Sequence, residues 1–140
     1  MKLFEIFGIV ECKSVTTPME LNFKKLCGSV VGTDLGNNFE YCQPVWALMF
    51  LVKSHPDICF AVNTLNQFMV EPHHINWIAA KNLLRYLWGT ITYRLRCTTR
   101  NMRLNSYSDA NWASTMVDHK STLGCFFSLC SASISWMIRK

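Results

Sequence analysis

Hydrophobic and polar positions change their rhythm along this chain, and the changes predict its elements. Residues 1–10 are apolar apart from Lys2 and Glu5 and look like the end of a helix or strand. Residues 11–40 are weakly patterned, with Thr16-Thr17-Pro18 and then Gly28, Gly32, Gly36 and Asn37-Asn38. Proline pushes the preceding Thr17 toward an extended backbone, so an extended linker with a loop over 27–39 is expected. Residues 44–54 have helical composition and are apolar nearly all round, which predicts burial on every side. Pro56 suits the first position of a new helix, where its missing N–H goes unneeded, and Asp57 complements the positive helix end. Ile58, Ala61, Val62, Leu65, Phe68 and Met69 then follow the i, i+3, i+4, i+7 spacing of an amphipathic helix. Asn63, Asn66 and Gln67 fall off that stripe, and Glu71-Pro72 ends it. A further helix fits 74–88, with Trp77, Ala80, Leu84 and Leu87 on one stripe, Lys81 and Arg85 on another face, and Gly89 as its stop.

Beyond Gly89 the period shortens to two. Residues 92–98 alternate, 103–108 suit a second strand, and 122–130 with 134–138 suit a hairpin across Ser131-Ala132-Ser133. Two or three strands without cover are marginal alone, and their open edge is a liability in solution. No internal repeat or low-complexity tract occurs.

Composition narrows the class. The chain has 140 residues, half of them apolar and 16% charged, which excludes a disordered chain and suggests one domain or pieces of two. Its net charge of +5 favours an anionic partner, though a solvated basic face around an apolar core is the plainer alternative. Seven cysteines, odd in number and without a C-x-x-C pair, suggest reduced thiols in an intracellular protein rather than a zinc site. The four histidines lack metal-ligand spacing. The longest apolar run, residues 45–52, is far short of the about 20 residues of a membrane span, and no secretory signal is evident, so no membrane partner is expected.

The candidate chemistry is sparse. Tyr107-Ser108-Asp109-Ala110-Asn111-Trp112-Ala113 puts a carboxylate at the end of a strand, where it could hold a divalent metal or stand solvated. Two-metal phosphodiester chemistry needs several carboxylates around ions about 4 Å apart, yet only Asp109 and Asp118 follow Glu71. Polymerase chemistry would want adjacent acids, which are absent, and the glycines at 28, 32 and 36 lack the lysine and serine of a phosphate loop. Ser54-His55 and His119-Lys120-Ser121 are close only in sequence. Lys81, Arg85, Arg94, Arg96, Arg100 and Arg103 form a loose basic series with Tyr86, Trp88 and Tyr93 nearby, suited to phosphate contact and stacking. Trp77 and Trp136 are expected in the core.

The run from Pro56 to Met69, PDICFAVNTLNQFM, closely resembles Copia-type retrotransposon polyproteins of plants. Trp77, Ala79-Ala80-Lys81, Leu84-Arg85-Tyr86-Leu87 and Gly89-Thr90 continue the resemblance. So do Tyr107-Ser108-Asp109, Trp112-Ala113, Lys120-Ser121-Thr122 and Ile134-Ser135-Trp136. Upstream, Cys12-Lys13-Ser14-Val15 and Thr17-Pro18-Met19 resemble the family's connector. The resemblance implies an α+β chain: a helical, thumb/connection-like unit followed by the first antiparallel strands of an incomplete ribonuclease H-like sheet. The corresponding divisions are a connector over 1–40, a reverse-transcriptase region over 41–100 and the opening of a nuclease domain over 101–140. Asp109 would match the nuclease's first metal-binding aspartate, with the other nuclease ligands beyond Lys140 and the polymerase aspartates before Met1. No cofactor is expected in this chain, Mg²⁺ serving the parent enzyme. The expected partners are an RNA–DNA hybrid and the rest of the polyprotein.

The departures have a pattern of their own. By resemblance, arginine is usual at Cys42 and His119, and arginine or lysine at Trp88. Glycine is usual at Trp46, Arg94, Ser114 and Cys130, and aspartate at Asn111. Several such changes are those expected from cytosine decay in arginine and glycine codons, which suggests a fragment no longer selected for activity. Trp46, inside a helix, is expected to overpack its contact.

Overall fold

The computed structural model describes residues 2–20, 38–96, 103–111 and 121–139. The architecture is α+β: the described residues form four α-helices followed by a three-stranded antiparallel sheet. Two compact units divide the chain, residues 1–93 and 94–140.

The first unit is helical. Helix α1 spans Lys2–Ile6, α2 Asn38–Leu51, α3 Cys59–Asn66 and α4 His74–Gly89, with a 3₁₀ turn over Pro56–Ile58 leading into α3. Helices α2, α3 and α4 pack against one another. Their shared core is Tyr41, Val45, Leu48, Ile58, Ala61, Val62, Leu65, Ala80, Leu83, Leu84, Tyr86 and Leu87, with Phe4 and Ile9 joining from the N-terminal segment. The predicted stripe of α3 is therefore the buried one. The helix is shorter than its stripe: after Asn66 the backbone tightens, and the amides of Gln67, Phe68 and Met69 each donate three residues back. Phe68 and Met69 still lean on the core from this turn.

Helix α2 departs from expectation in two ways. It begins at Asn38, so Asn38 and Phe39 belong to a helix rather than to the predicted loop, whose residues 27–37 lie outside the described residues. Asn38 Nδ2 donates to the Val70 carbonyl at 3.0 Å, tying this start to the turn after α3. Pro44 consequently lies inside the helix, where it is buried beside Tyr41 and Val45. Burial is also one-sided. Tyr41, Val45 and Leu48 are sealed, but Trp46 is 56% and Phe50 70% exposed, with Phe39 and Met49 also in solvent. The expected overpacking at Trp46 is thus corrected, since its side chain has open space. The Lys53 ammonium lies 5.2 Å from the Phe50 ring centroid, a cation–π contact that partly covers it.

The connector is fastened to α4 from two sides. Arg85 Nε donates to the Lys13 carbonyl at 2.7 Å, while another guanidinium nitrogen reaches Asn82 at 3.1 Å. Gly89 lies against the same strand of connector. It is the last helical residue, and Thr90 after it has φ −110°, so no left-handed cap forms. The helix does stop at Gly89 as expected, without a left-handed cap, and the close approach of Ser14 gives the glycine a steric role as well. Trp88 packs edge-on against Phe4, centroids 5.3 Å apart, which holds α1 to the end of α4.

A polar contact crosses the same core. The Tyr86 hydroxyl donates to Asp57 Oδ2 at 2.8 Å. Burial, then this hydrogen bond and the Asp57 charge, push the phenol from 10.0 up to about 12. The folded state therefore holds the proton more tightly than the unfolded chain. The resulting stability is complete below pH 10 and lost as pH rises through about 12. Tyr86→Phe is expected to remove this alkaline component and to cost about 1–3 kcal/mol at neutral pH, as measured by urea unfolding at pH 7 and between pH 10 and 12.

The second unit is the sheet, β1 (Leu104–Asn111), β2 (Thr122–Leu129) and β3 (Ala132–Arg139), in the order β1-β2-β3. Tyr107 opposes Phe126, which opposes Trp136, and Asp109 opposes Gly124, which opposes Ile138. A bulge between Phe127 and Ser128 leaves Ile134 without a register partner. Alternation places Tyr107, Asp109, Phe126, Trp136 and Ile138 on one face, and Leu104, Leu123, Cys125, Phe127, Leu129 and Met137 on the other. Both faces are rich in apolar side chains, yet Ala132 is the single buried residue among the described strand positions. The expected strand at 92–98 does not form over its described part: residues 91 and 92 turn and 93–96 have no regular structure. Trp136 is half-buried on the sheet, not in a closed core.

Cys130 and Ser131 make the two-residue β2–β3 turn. Cys130 has φ 59°, whereas Ser131 has no positive φ, the pattern of a type II′ turn whose first central position belongs to glycine. A side chain there costs about 1 kcal/mol or more. Cys130→Gly is expected to stabilise the sheet by about 1 kcal/mol, visible as slower amide exchange across β2 and β3. Unchanged exchange would show that the turn carries no strain.

Candidate metal and nucleic-acid residues

Asp109 lies near the end of β1 with its side chain in solvent. Its neighbours on that face are Tyr107 and Asn111 along the strand and Gly124 across it, none of them a second carboxylate. Among the described residues no three histidine, cysteine, aspartate or glutamate side chains converge as a metal-binding group. Asp118, the only other acid of the second unit by sequence, lies outside the described residues. One carboxylate can hold a hydrated cation weakly, whereas two bridged metals need several.

The basic series is divided between the two units. Lys81 and Arg85 stand on α4 in the first unit. The Lys81 ammonium lies 4.8 Å from the Trp77 ring centroid, and Arg85 is engaged by the connector carbonyl. Arg94, Arg96 and Arg103 belong to the second unit and are exposed; Arg100 lies outside the described residues. Arg103 precedes β1, and its carbonyl accepts the Cys130 amide at 2.8 Å, which fixes the backbone beside the hairpin turn.

Charge divides the same way. By sequence the first unit has seven lysines and arginines against seven acids, a net charge of zero. The second has seven against two, so it carries the whole +5.

The Ser54–His55 pair is in contact, Oγ to Nδ1 2.9 Å, but the same hydroxyl donates to the Leu51 carbonyl at 3.2 Å. A hydroxyl has one hydrogen. Given to Leu51, it leaves the oxygen as an acceptor from the ring, the wrong sense for a base that activates a nucleophile. The pair closes the turn after α2. His119 lies outside the described residues.

Sequence reasoning missed the cross-strand row Tyr107–Phe126–Trp136, because three aromatics on separate strands become neighbours only once register is known. Tyr107 and Phe126 lie 6.2 Å apart between ring centroids, tilted by 44°.

The chain as a whole is similar to known proteins. The Pol polyproteins of transposons RE2 and RE1 of Arabidopsis thaliana, both retrovirus-related, are 38% and 39% identical over 134 residues, 95% of this chain. The chain belongs to the retrovirus-related Pol family of plant transposons. It spans 9% of the length of those two polyproteins. The secreted RxLR effector protein 161 of Plasmopara viticola is 40% identical over 105 residues, 74% of each chain. No family model matches, and no solved structure matches significantly. Within the Pol family, then, this chain is a short stretch that folds as helices and a sheet.

Proposed function

We propose that this chain is the stretch of a Copia-type Pol polyprotein running from the end of reverse transcriptase into the opening strands of ribonuclease H, and that it has no catalytic activity of its own. The parent activities would be RNA-directed DNA synthesis and metal-dependent cleavage of RNA in a hybrid. The observation that carries the reading is the isolation of Asp109: the residue that resembles the nuclease's first ligand stands on an uncovered strand with no second carboxylate among its described neighbours. Mg²⁺ would be supplied to the parent site with further ligands from elsewhere in the polyprotein. Here Asp109 alone can offer a cation one exchangeable contact. The match to most of the effector's length supports the view that this stretch also occurs outside Pol polyproteins.

A magnesium titration followed through the amide resonances of β1 tests the reading. Shifts at Asp109 should rise without saturation at millimolar Mg²⁺. Saturable shifts abolished by Asp109→Asn would show a formed metal site and overturn it.

The second reading, a nucleic-acid module without catalysis, is favoured by the concentration of charge in the second unit. In that module the polynucleotide contacts come from the sheet unit and not from α4.

A further inference from the structure

We infer that the sheet unit binds single-stranded polynucleotide, with bases stacked on the row Tyr107–Phe126–Trp136 and phosphates met by Arg94, Arg96 and Arg103. This deepens the nucleic-acid reading above by naming the ligand and the residues.

Three observations carry it. The first is the partition of charge, zero in the helical unit and +5 in the sheet unit, which gives a polyanion a reason to choose one unit over the other. The second is that Arg94, Arg96 and Arg103 are exposed, within reach of a phosphate arriving from solvent. The third is the register, which sets one aromatic from each strand in a line across a single face, with Tyr107 62% exposed. Aromatic rings on a sheet face are suited to bases, because every base has a π-face. Serines at 106 and 108 lie on the opposite face of β1 and take no part.

The ligand should be a single strand. In a duplex or hybrid the bases are stacked and paired, so their faces are not offered to a flat protein surface. Asp109 lies on the stacking face, one pleat from Tyr107, and opposes phosphate there. The backbone is therefore expected to run toward the Arg103 end of β1, with the bases over the aromatic row.

Fluorescence anisotropy of the full chain with a labelled single-stranded RNA of mixed sequence tests the inference. Binding should weaken steeply with salt. Changing Arg94, Arg96 and Arg103 together to glutamine should reduce the salt slope by about 2, the value for three phosphate contacts on a single strand. Tyr107→Ala should weaken binding by about 5- to 100-fold with little change in salt slope, and Tyr107→Phe should keep it. Lys53→Gln with Lys81→Gln should leave affinity unchanged. Circular dichroism of each variant confirms that the sheet persists. Absence of binding, tighter binding of duplex than of single strand, equal loss from the lysine pair, or a Tyr107→Ala variant of undiminished affinity would each overturn the inference. None of these outcomes bears on the magnesium titration, so failure here leaves the Pol assignment standing.

Discussion

Tyr41→Ala is expected to destabilise the helical unit by about 3–5 kcal/mol, enough to unfold a domain of ordinary stability. Tyr41 is fully buried on α2, between Pro44 and Val45 on its own helix and the packed faces of α3 and α4. Its hydroxyl donates to the Leu65 carbonyl at 2.7 Å, pinning α2 to the last turn of α3. Truncation leaves an aromatic-sized cavity and removes that bond together. Tyr41→Phe isolates the second effect and should cost only about 1 kcal/mol, because Leu65 O still accepts the Phe68 amide at 3.1 Å. Urea unfolding followed by far-UV circular dichroism measures both. A loss in Tyr41→Ala no larger than in Tyr41→Phe would mean that α2 does not close the core.

Gly89→Val is expected to cost about 1–3 kcal/mol. Helix propensity alone predicts the opposite sign, since glycine is the poorest helical residue after proline. The contact decides. A Cβ built on Gly89 would lie 2.8 Å from Ser14 Cβ and 3.3 Å from its hydroxyl, both part of a connector that Arg85 clamps at the neighbouring Lys13 carbonyl. A branched side chain must push that segment away or bend the end of α4. The double variant Gly89→Val with Ser14→Gly should recover part of the loss, and the thermodynamic cycle on the two sites reads their coupling. Strict additivity would show that the close approach does not set the cost.

The legible parts of the fold are those where one element's pattern suffices. The stripe Ile58, Ala61, Val62, Leu65 names the buried face of α3 because its opposite face is polar. The stripe on α4 does the same. Helix α2 offers no such contrast: apolar residues run round it, so the sequence cannot say that Tyr41, Val45 and Leu48 face inward while Trp46 and Phe50 face water. Pro44, the first residue of the helical stretch expected over 44–54, sits inside the helix because the helix begins at Asn38, and it shares the buried face with Tyr41 three residues earlier. At 92–96 the alternation is real but no partner strand is paired there, and alternation without a partner does not make a strand. In the sheet, β2 and β3 are recognisable and their register is not, since both faces are apolar and a slip by one residue exchanges one apolar set for another.

The site shows the same division. Asp109 is identifiable only by its resemblance to a family motif; among the described residues no second carboxylate stands beside it on the sheet. The basic series from Lys81 to Arg103 is continuous in sequence but divided between two units, and Arg85 is occupied in holding the connector. The strain at Cys130 was legible through the glycine usual at that position in the resembled family. Its φ of 59° gives that departure a physical cost.

The most direct test of the central claim is cleavage of a labelled RNA strand in an RNA–DNA hybrid, with Mg²⁺, by the full chain and by Asp109→Asn. The same background rate is expected for both. Hybrid-dependent cleavage by the unmodified chain, lost on Asp109→Asn, would contradict it.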